Sequence, residues 1–241
     1  MRRAHVNGCI AVLGAALISV MPGLAVAQKM PGGQGGQGGM GRPGGMNQPN
    51  EEMPSTPAVE KPDAAARKAY AAGMKSFAKA RDYENAAAGA ANAEKKANAL
   101  DKMGDAYNRA LDQFTEALSN KGDMYEAWNN VGYIHLRLGA YAESVDDYNH
   151  TLALKPGLSE AILHRGEAYL AVDRLDDAKA AYMDLFNHER PLADQLMAAM
   201  QKWSTDHRGN ANGMRASDIA AFDKWLQERD DIAKQTASLP H

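Results

Sequence analysis

The residues able to do chemistry are few, and their spacing does not organise them. Seven histidines occur in the 241 residues. None belongs to an HExxH motif or to a pair at i, i+4, the spacing that puts two imidazoles on one helix face for zinc. His135 and His164 fall on successive helical units, where packing or a polar partner accounts for them better than a metal. Asn210-x-Asn212-Gly213 has the outline of a calcium loop. Its first and twelfth ligand positions would be Arg208 and Ile219, where carboxylates are required. Asp146-Asp147 and Asp176-Asp177 sit in helical stretches as solvated neighbours, not as an acid/base pair. The folded part has no G-x-S-x-G elbow, P-loop or dinucleotide fingerprint. The sequence therefore predicts no enzyme: no catalytic residue, no metal and no cofactor.

What remains is surface, and the composition narrows the kind of surface. A formal net charge of -3, with no basic cluster beyond the N-terminus, excludes a nucleic-acid partner. Plentiful alanine and methionine with 7% aromatics favour helices over a β-sandwich. Residues 1–27 have the form of a Sec-type signal peptide: Arg2 and Arg3, an apolar run from Ile10 to Val20, and a small-x-small site at Ala25-Val26-Ala27. The run is short for a membrane span and Pro22-Gly23 interrupts it. Cleavage after Ala27 would leave an exported, periplasmic protein with no stable membrane insertion. It would also remove Cys9, the one cysteine, and reduce 27 basic residues to 25 against 30 acidic ones. Residues 28–62, rich in Gly, Gln and Pro, lack the apolar content to bury and are expected to be a disordered tether.

From residue 63 onward no strand pattern appears, and the chain compares well with itself at one constant offset. Glu126-Ala127 aligns with Glu160-Ala161, Gly132 with Gly166, Leu136 with Leu170, and Tyr148 with Tyr182. One step back, Tyr107, Ala110 and Phe114 fall under Tyr141, Ser144 and Tyr148. The central unit predicts a helix over about Tyr125 to Leu138, a break at Gly139-Ala140, and a helix over about Ala142 to Leu154 closed by Lys155-Pro156-Gly157. Trp128, Val131, Ile134, His135 and Leu138 form the stripe of the first helix.

These markers resemble the tetratricopeptide repeat (TPR) family, with its W-x2-L-G-x2-Y first helix and A-x3-F second helix. The matching residues are Trp128, Val131, Gly132 and His135, then Ser144, Tyr148, Thr151 and Pro156. The next unit offers Ile162, Gly166, Tyr169, Ala178, Tyr182 and Leu185. The resemblance implies an all-α fold: TPR-type hairpins over 63–190, clear at 125–158 and 159–190, with C-terminal helices over 191–236. It also explains Gly132, which costs about 1 kcal/mol relative to alanine in a helix interior. A small residue lets the second helix approach, with Ser144, or Ala178 in the next unit, as its expected small partner.

The repeat is less regular at both ends. Gly73, Phe77, Tyr83 and Ala86 have the look of another start, but Ala110 follows Ala86 too soon for a full repeat, which leaves the early repeats fused or shortened. One alanine-rich helix is expected from about Tyr83 to Met103. Downstream, Pro191 to Trp203 predicts a helix, and Ser217 is placed to cap a last one from Asp218 to Lys234, carrying Phe222 and Trp225 as a cover for the stack.

For function, the resemblance implies a peptide or protein partner in the groove lined by first helices. The residues of this chain that fall there are Asn129, Tyr133, Leu136 and Arg137, then Glu160, Leu163, Glu167 and Leu170. The lysine and asparagine pattern with which some TPR proteins clamp a C-terminal carboxylate is replaced at Asn129 and Tyr133. An adaptor or scaffold is the expectation. The alternative is a structural or envelope-assembly protein that makes its contacts through the tether or the C-terminal helix, with the repeats as spacer.

Overall fold

The computed structural model describes residues 62–208 and 214–237. The expected leader and the expected tether up to residue 61 lie outside the described residues, as do residues 209–213 and 238–241. Every regular element among the described residues is an α-helix: α1 Pro62–Ala88, α2 Ala93–Asn120, α3 Tyr125–Leu138, α4 Tyr141–Leu154, α5 Ser159–Ala171, α6 Leu175–His188, α7 Arg190–His207 and α8 Ala216–Ala237. They pack as successive hairpins, α1 on α2 through α7 on α8. Each second helix leans on the next first helix, and the first helices α3, α5 and α7 also touch in turn.

The turns explain the boundaries. Gly139 adopts φ 82°, in the left-handed region that glycine enters without a Cβ penalty. This reversal lets the N–H of Ala140 reach the carbonyl of His135 at 2.9 Å, ending α3. One repeat later the same bond recurs, from Arg174 N–H to the carbonyl of Tyr169 at 2.9 Å. There the left-handed residue is Asp173, at φ 61°. A glycine position in one hairpin is thus occupied by an aspartate in the next.

Gly132 does sit at a tight crossing, but its neighbours differ from expectation. A Cβ there would meet the Tyr148 ring at 3.1 Å and Asp147 Cβ at 3.2 Å. Ser144 instead donates a hydrogen bond to the Gly132 carbonyl at 2.9 Å. At Gly166 the near atoms are the Leu196 methyls of α7, at 2.7 and 3.0 Å, and Ala181 Cβ, not Ala178. A long side chain that lies over the glycine fills the space at each crossing.

The early repeats form one hairpin of lengthened arms, α1 and α2, so the two starts suggested by the sequence are fused, not shortened. Gly73 faces the Phe114 ring much as Gly132 faces Tyr148. Far more chain separates the first pair than the second, and the additional chain lengthens both arms toward their turn. α1 runs on from Gly73 as far as Ala88, where α3 runs from Gly132 only to Leu138. α2 starts at Ala93, well ahead of Phe114, where α4 starts at Tyr141, two turns ahead of Tyr148. At the rise of an α-helix the two arms are about 14 and 21 Å longer. The helix expected from Tyr83 to Met103 is broken within this stretch. Gly89 to Asn92 form the turn, and the Asn92 side chain caps α2 by accepting from Lys95 N–H at 2.9 Å. At the far end Ser217 lies inside the first turn of α8, not ahead of it.

α7 and α8 complete the apolar core. Phe222 is fully buried and meets Trp203 edge-on at 5.5 Å, while Trp225 meets Tyr182 edge-on at the same distance. The face of α8 that carries Trp225 is therefore turned toward the stack.

Candidate protein-binding groove

The helices α1, α3, α5 and α7 present the first-helix face, and Tyr133 stands at its centre. Its half-buried ring meets Phe77 of α1 at 5.5 Å, Tyr107 of α2 at 6.4 Å and His164 of α5 at 5.3 Å. The Arg81 guanidinium lies over the same ring, 5.1 Å from its centre, and donates to the Tyr133 hydroxyl. Burial raises the pKa of this tyrosine, so the hydroxyl keeps its proton at ordinary pH.

One turn further along α3, Arg137 pairs with Glu84 of α1. Glu84 also accepts from the buried Tyr107 hydroxyl at 3.0 Å and lies 3.6 Å from Arg81 Nε. Burial pulls the Arg137 pKa down, but Glu84, with Tyr133, Tyr107 and Glu167, more than offsets it and leaves the pKa raised. Both arginines near Tyr133 are thus held by one carboxylate of the protein itself. A partner must displace internal pairs or bind beside them.

The remaining expected groove residues divide by exposure. Glu160 is exposed on the first turn of α5. Glu167 is half-buried and engages His164 Nδ1 at 2.9 Å. Asn129 is half-buried, and its Oδ1 has no hydrogen-bond partner among the described residues. Leu136 is partly covered by the core. Leu163 and Leu170 are each only 4% exposed and belong to that core. Their burial in that core leaves little of either for a ligand. Trp128, assigned a repeat-packing role, stacks on His150 at 4.5 Å and donates from Nε1 to the Gly122 carbonyl at 2.9 Å.

Arg81, Glu84 and Tyr107 join the site without having been foreseen. The signal was the repeat itself: aligning Gly73 with Gly132 brings α1 into register with α3. The constant offset of the later repeats hides that match behind the lengthened arms of the first hairpin. Asp147 also departs from expectation. It is 7% exposed, with Oδ2 2.6 Å from His135 Nδ1, and is not a solvated helix-surface carboxylate. Asp176 and Asp177 remain near the surface, paired with Lys179 and Arg174. Among the described residues no group of three His, Cys, Asp or Glu side chains is placed to hold a metal. No described helix is long and apolar enough to cross a membrane.

No family model matches the chain. Over 169 residues it is 26% identical to the Protein SGT1 homolog of Oryza sativa subsp. japonica, a match covering 64% of this chain. That match spans 43% of the rice protein, less than half its length. Among solved structures it is similar to the Arabidopsis OM64 TPR domain, with a TM-score of 0.40 and 17% identity over 57% of this chain and 98% of that one. With its hairpins, crossing glycines and regular repeat register, the architecture is that of a TPR-like all-α solenoid.

Proposed function

We propose that this protein is a non-catalytic interaction module that holds a protein or peptide against the face built by α1, α3, α5 and α7. The observation that carries the reading is the Tyr133 cluster, a half-buried aromatic centre under the Arg81 guanidinium, with the charges of Arg137 and Glu167 acting on it. Rigid aromatic anchors with polar groups beside them are what short protein segments dock against. Glu160 and Asn129 extend this face, and Leu136 adds an apolar margin. The chain is further proposed to act as an exported adaptor, on the strength of the leader-like residues 1–27.

Affinity capture compares the full chain with Glu160→Lys and Asn129→Ala, substitutions that leave the core untouched. Loss of the same captured partner in both, with unchanged helicity, supports the groove. Identical partner profiles would reject it. A chain lacking residues 28–61 should capture the partner undiminished; loss in that chain alone would favour the tether as the contact. Cell fractionation with N-terminal sequencing tests export, which requires a mature chain beginning at Gln28.

A further inference from the structure

Two apolar cores fill the stack, and they meet without merging. One gathers Ala80, Tyr107, Phe114, Val131 and Ile134 from the first three helices. The other begins at Val145 of α4 and continues through α8. Between them the facing sides of α3 and α4 are joined by polar contacts. His135 Nδ1 and Asp147 Oδ2 lie 2.6 Å apart. The Ser144 hydroxyl donates to the Gly132 carbonyl at 2.9 Å, while the buried Thr151 hydroxyl donates within α4 to the Asp147 carbonyl, also at 2.9 Å. One repeat later the four positions of His135, Ser144, Asp147 and Thr151 hold Tyr169, Ala178, Ala181 and Leu185. All four of those belong to a single apolar core. The hairpin architecture therefore does not require a polar seam.

We propose that the α3/α4 seam is a proton-dependent joint between the two cores, locked while His135 carries its proton and loosened when it releases it. From α4, Asp147 and Glu143 face the imidazole; α1, α2 and α5, also packed on α3, supply no charged group that acts on it. His135 lies in the last turn of α3, where unpaired carbonyls favour a cation. The groups facing Asp147 are His135, His150 and Asp146.

The hydrogen bond to Asp147 raises the His135 pKa above its usual 6.5, and burial raises that of Asp147 against the pull of His135. The two shifts act in one direction. A group with a raised folded pKa stabilises the fold below its unfolded pKa, and that contribution is lost as pH rises through the folded value. The joint is tightest in mildly acidic solution and weakens above the ordinary histidine range. Because α3 also carries Asn129, Tyr133 and Arg137, a looser joint frees one wall of the groove. The proposal does not depend on what binds there.

Hydrogen exchange of the full chain at pH 6 and pH 8.5, with each peptide referred to its intrinsic rate, tests the joint. Peptides from α3 and α4 should lose protection relative to those from α5 and α6, by up to about tenfold for each unit separating the folded and unfolded pKa of His135. His135→Tyr/Asp147→Ala, which installs the pair of the next hairpin, should abolish the difference between hairpins. Asp147→Asn keeps the side-chain shape, removes the charge and should flatten the response as well. Protection in α3 and α4 that follows α5 and α6 across the pH range would overturn the proposal. So would a pH response that survives in either variant.

Discussion

A Cβ on Gly73 would stand 2.6 Å from Cε1 of Phe114, and no small movement relieves it. The Phe114 ring is fully buried, with Tyr70 at 5.4 Å and Phe77 at 6.4 Å. At Gly166 the obstructing atoms are the ends of the Leu196 side chain, which can turn aside. At Gly132 the clearance is 3.1 Å. Alanine gains about 1 kcal/mol of helix propensity at each site, and overpacking costs about 1–3 kcal/mol. Gly73→Ala should therefore destabilise most, by about 1–2 kcal/mol, with Gly166→Ala near neutral and Gly132→Ala between them. Urea denaturation of the three variants checks the order; equal midpoints would contradict it.

Asp173 occupies the left-handed position that Gly139 takes one repeat earlier. Non-glycine residues there carry strain of about 1–2 kcal/mol, reduced for aspartate by its local hydrogen bonding. Asp173→Gly should raise stability by up to about 1 kcal/mol, since its turn bond, Arg174 N–H to the Tyr169 carbonyl, needs no side chain. Thermal melting reads this out, and a lower midpoint would show that the Asp173 side chain contributes more than its backbone strain.

Glu84 gathers Arg81, Tyr107 and Arg137 onto one carboxylate. Glu84→Ala leaves the half-buried Arg137 without that partner and the Tyr107 hydroxyl without its acceptor. The expected loss is about 1–3 kcal/mol, because a buried group left unpaired retains its full desolvation penalty. Glu84→Gln, which can still accept from Tyr107, should lose less. Chemical denaturation of the pair distinguishes a network from three independent surface contacts.

Acid should act on the contact between α7 and α8, away from the α3/α4 seam. Arg208 lies 2.9 Å from Asp223 and, with the Ser204 hydroxyl, lowers its pKa. A lowered folded pKa contributes stability above the unfolded value, about 3.9 for aspartate, and that contribution is lost as pH falls through the folded one. Arg208 is more than half exposed, so solvent screens the pair and the contribution should be small. Asp223→Asn should remove this part of the acid sensitivity, measured as melting temperature between pH 5 and pH 2.

The α8 cover is apolar, and its removal should be felt throughout the stack. Phe222→Ala opens a cavity beside Trp203 and should cost about 3–5 kcal/mol. Loss of less than about 1 kcal/mol in a denaturant titration would mean that α8 is dispensable to the core.

The helices of the two regular hairpins were legible because one face repeats its apolar residues while Gly139 and Pro156-Gly157 mark the ends. α3 matches its expected span, Tyr125 to Leu138, and α4 begins at Tyr141, just ahead of the expected Ala142. The first hairpin was not legible at its turn, since an alanine-rich run gives helix propensity without saying where a helix stops. Gly89 and Asn92 were the available signals within that run. Side-chain neighbours were harder still. Tyr148 shows its aromatic character in the sequence, but that it lies over Gly132 depends on the rotation of α4. The burial of Leu163, Leu170 and Asp147 likewise follows from how neighbouring helices nest, which a single-helix pattern does not encode.

The groove itself is tested most directly by placing a photo-crosslinking amino acid at Asn129, Leu136 or Glu160 on the first helices, and at Asp146 or Asn149 on α4. The account predicts that the three first-helix positions capture one common partner and the two α4 positions do not. Equal capture from both sets, or capture from α4 alone, would contradict it.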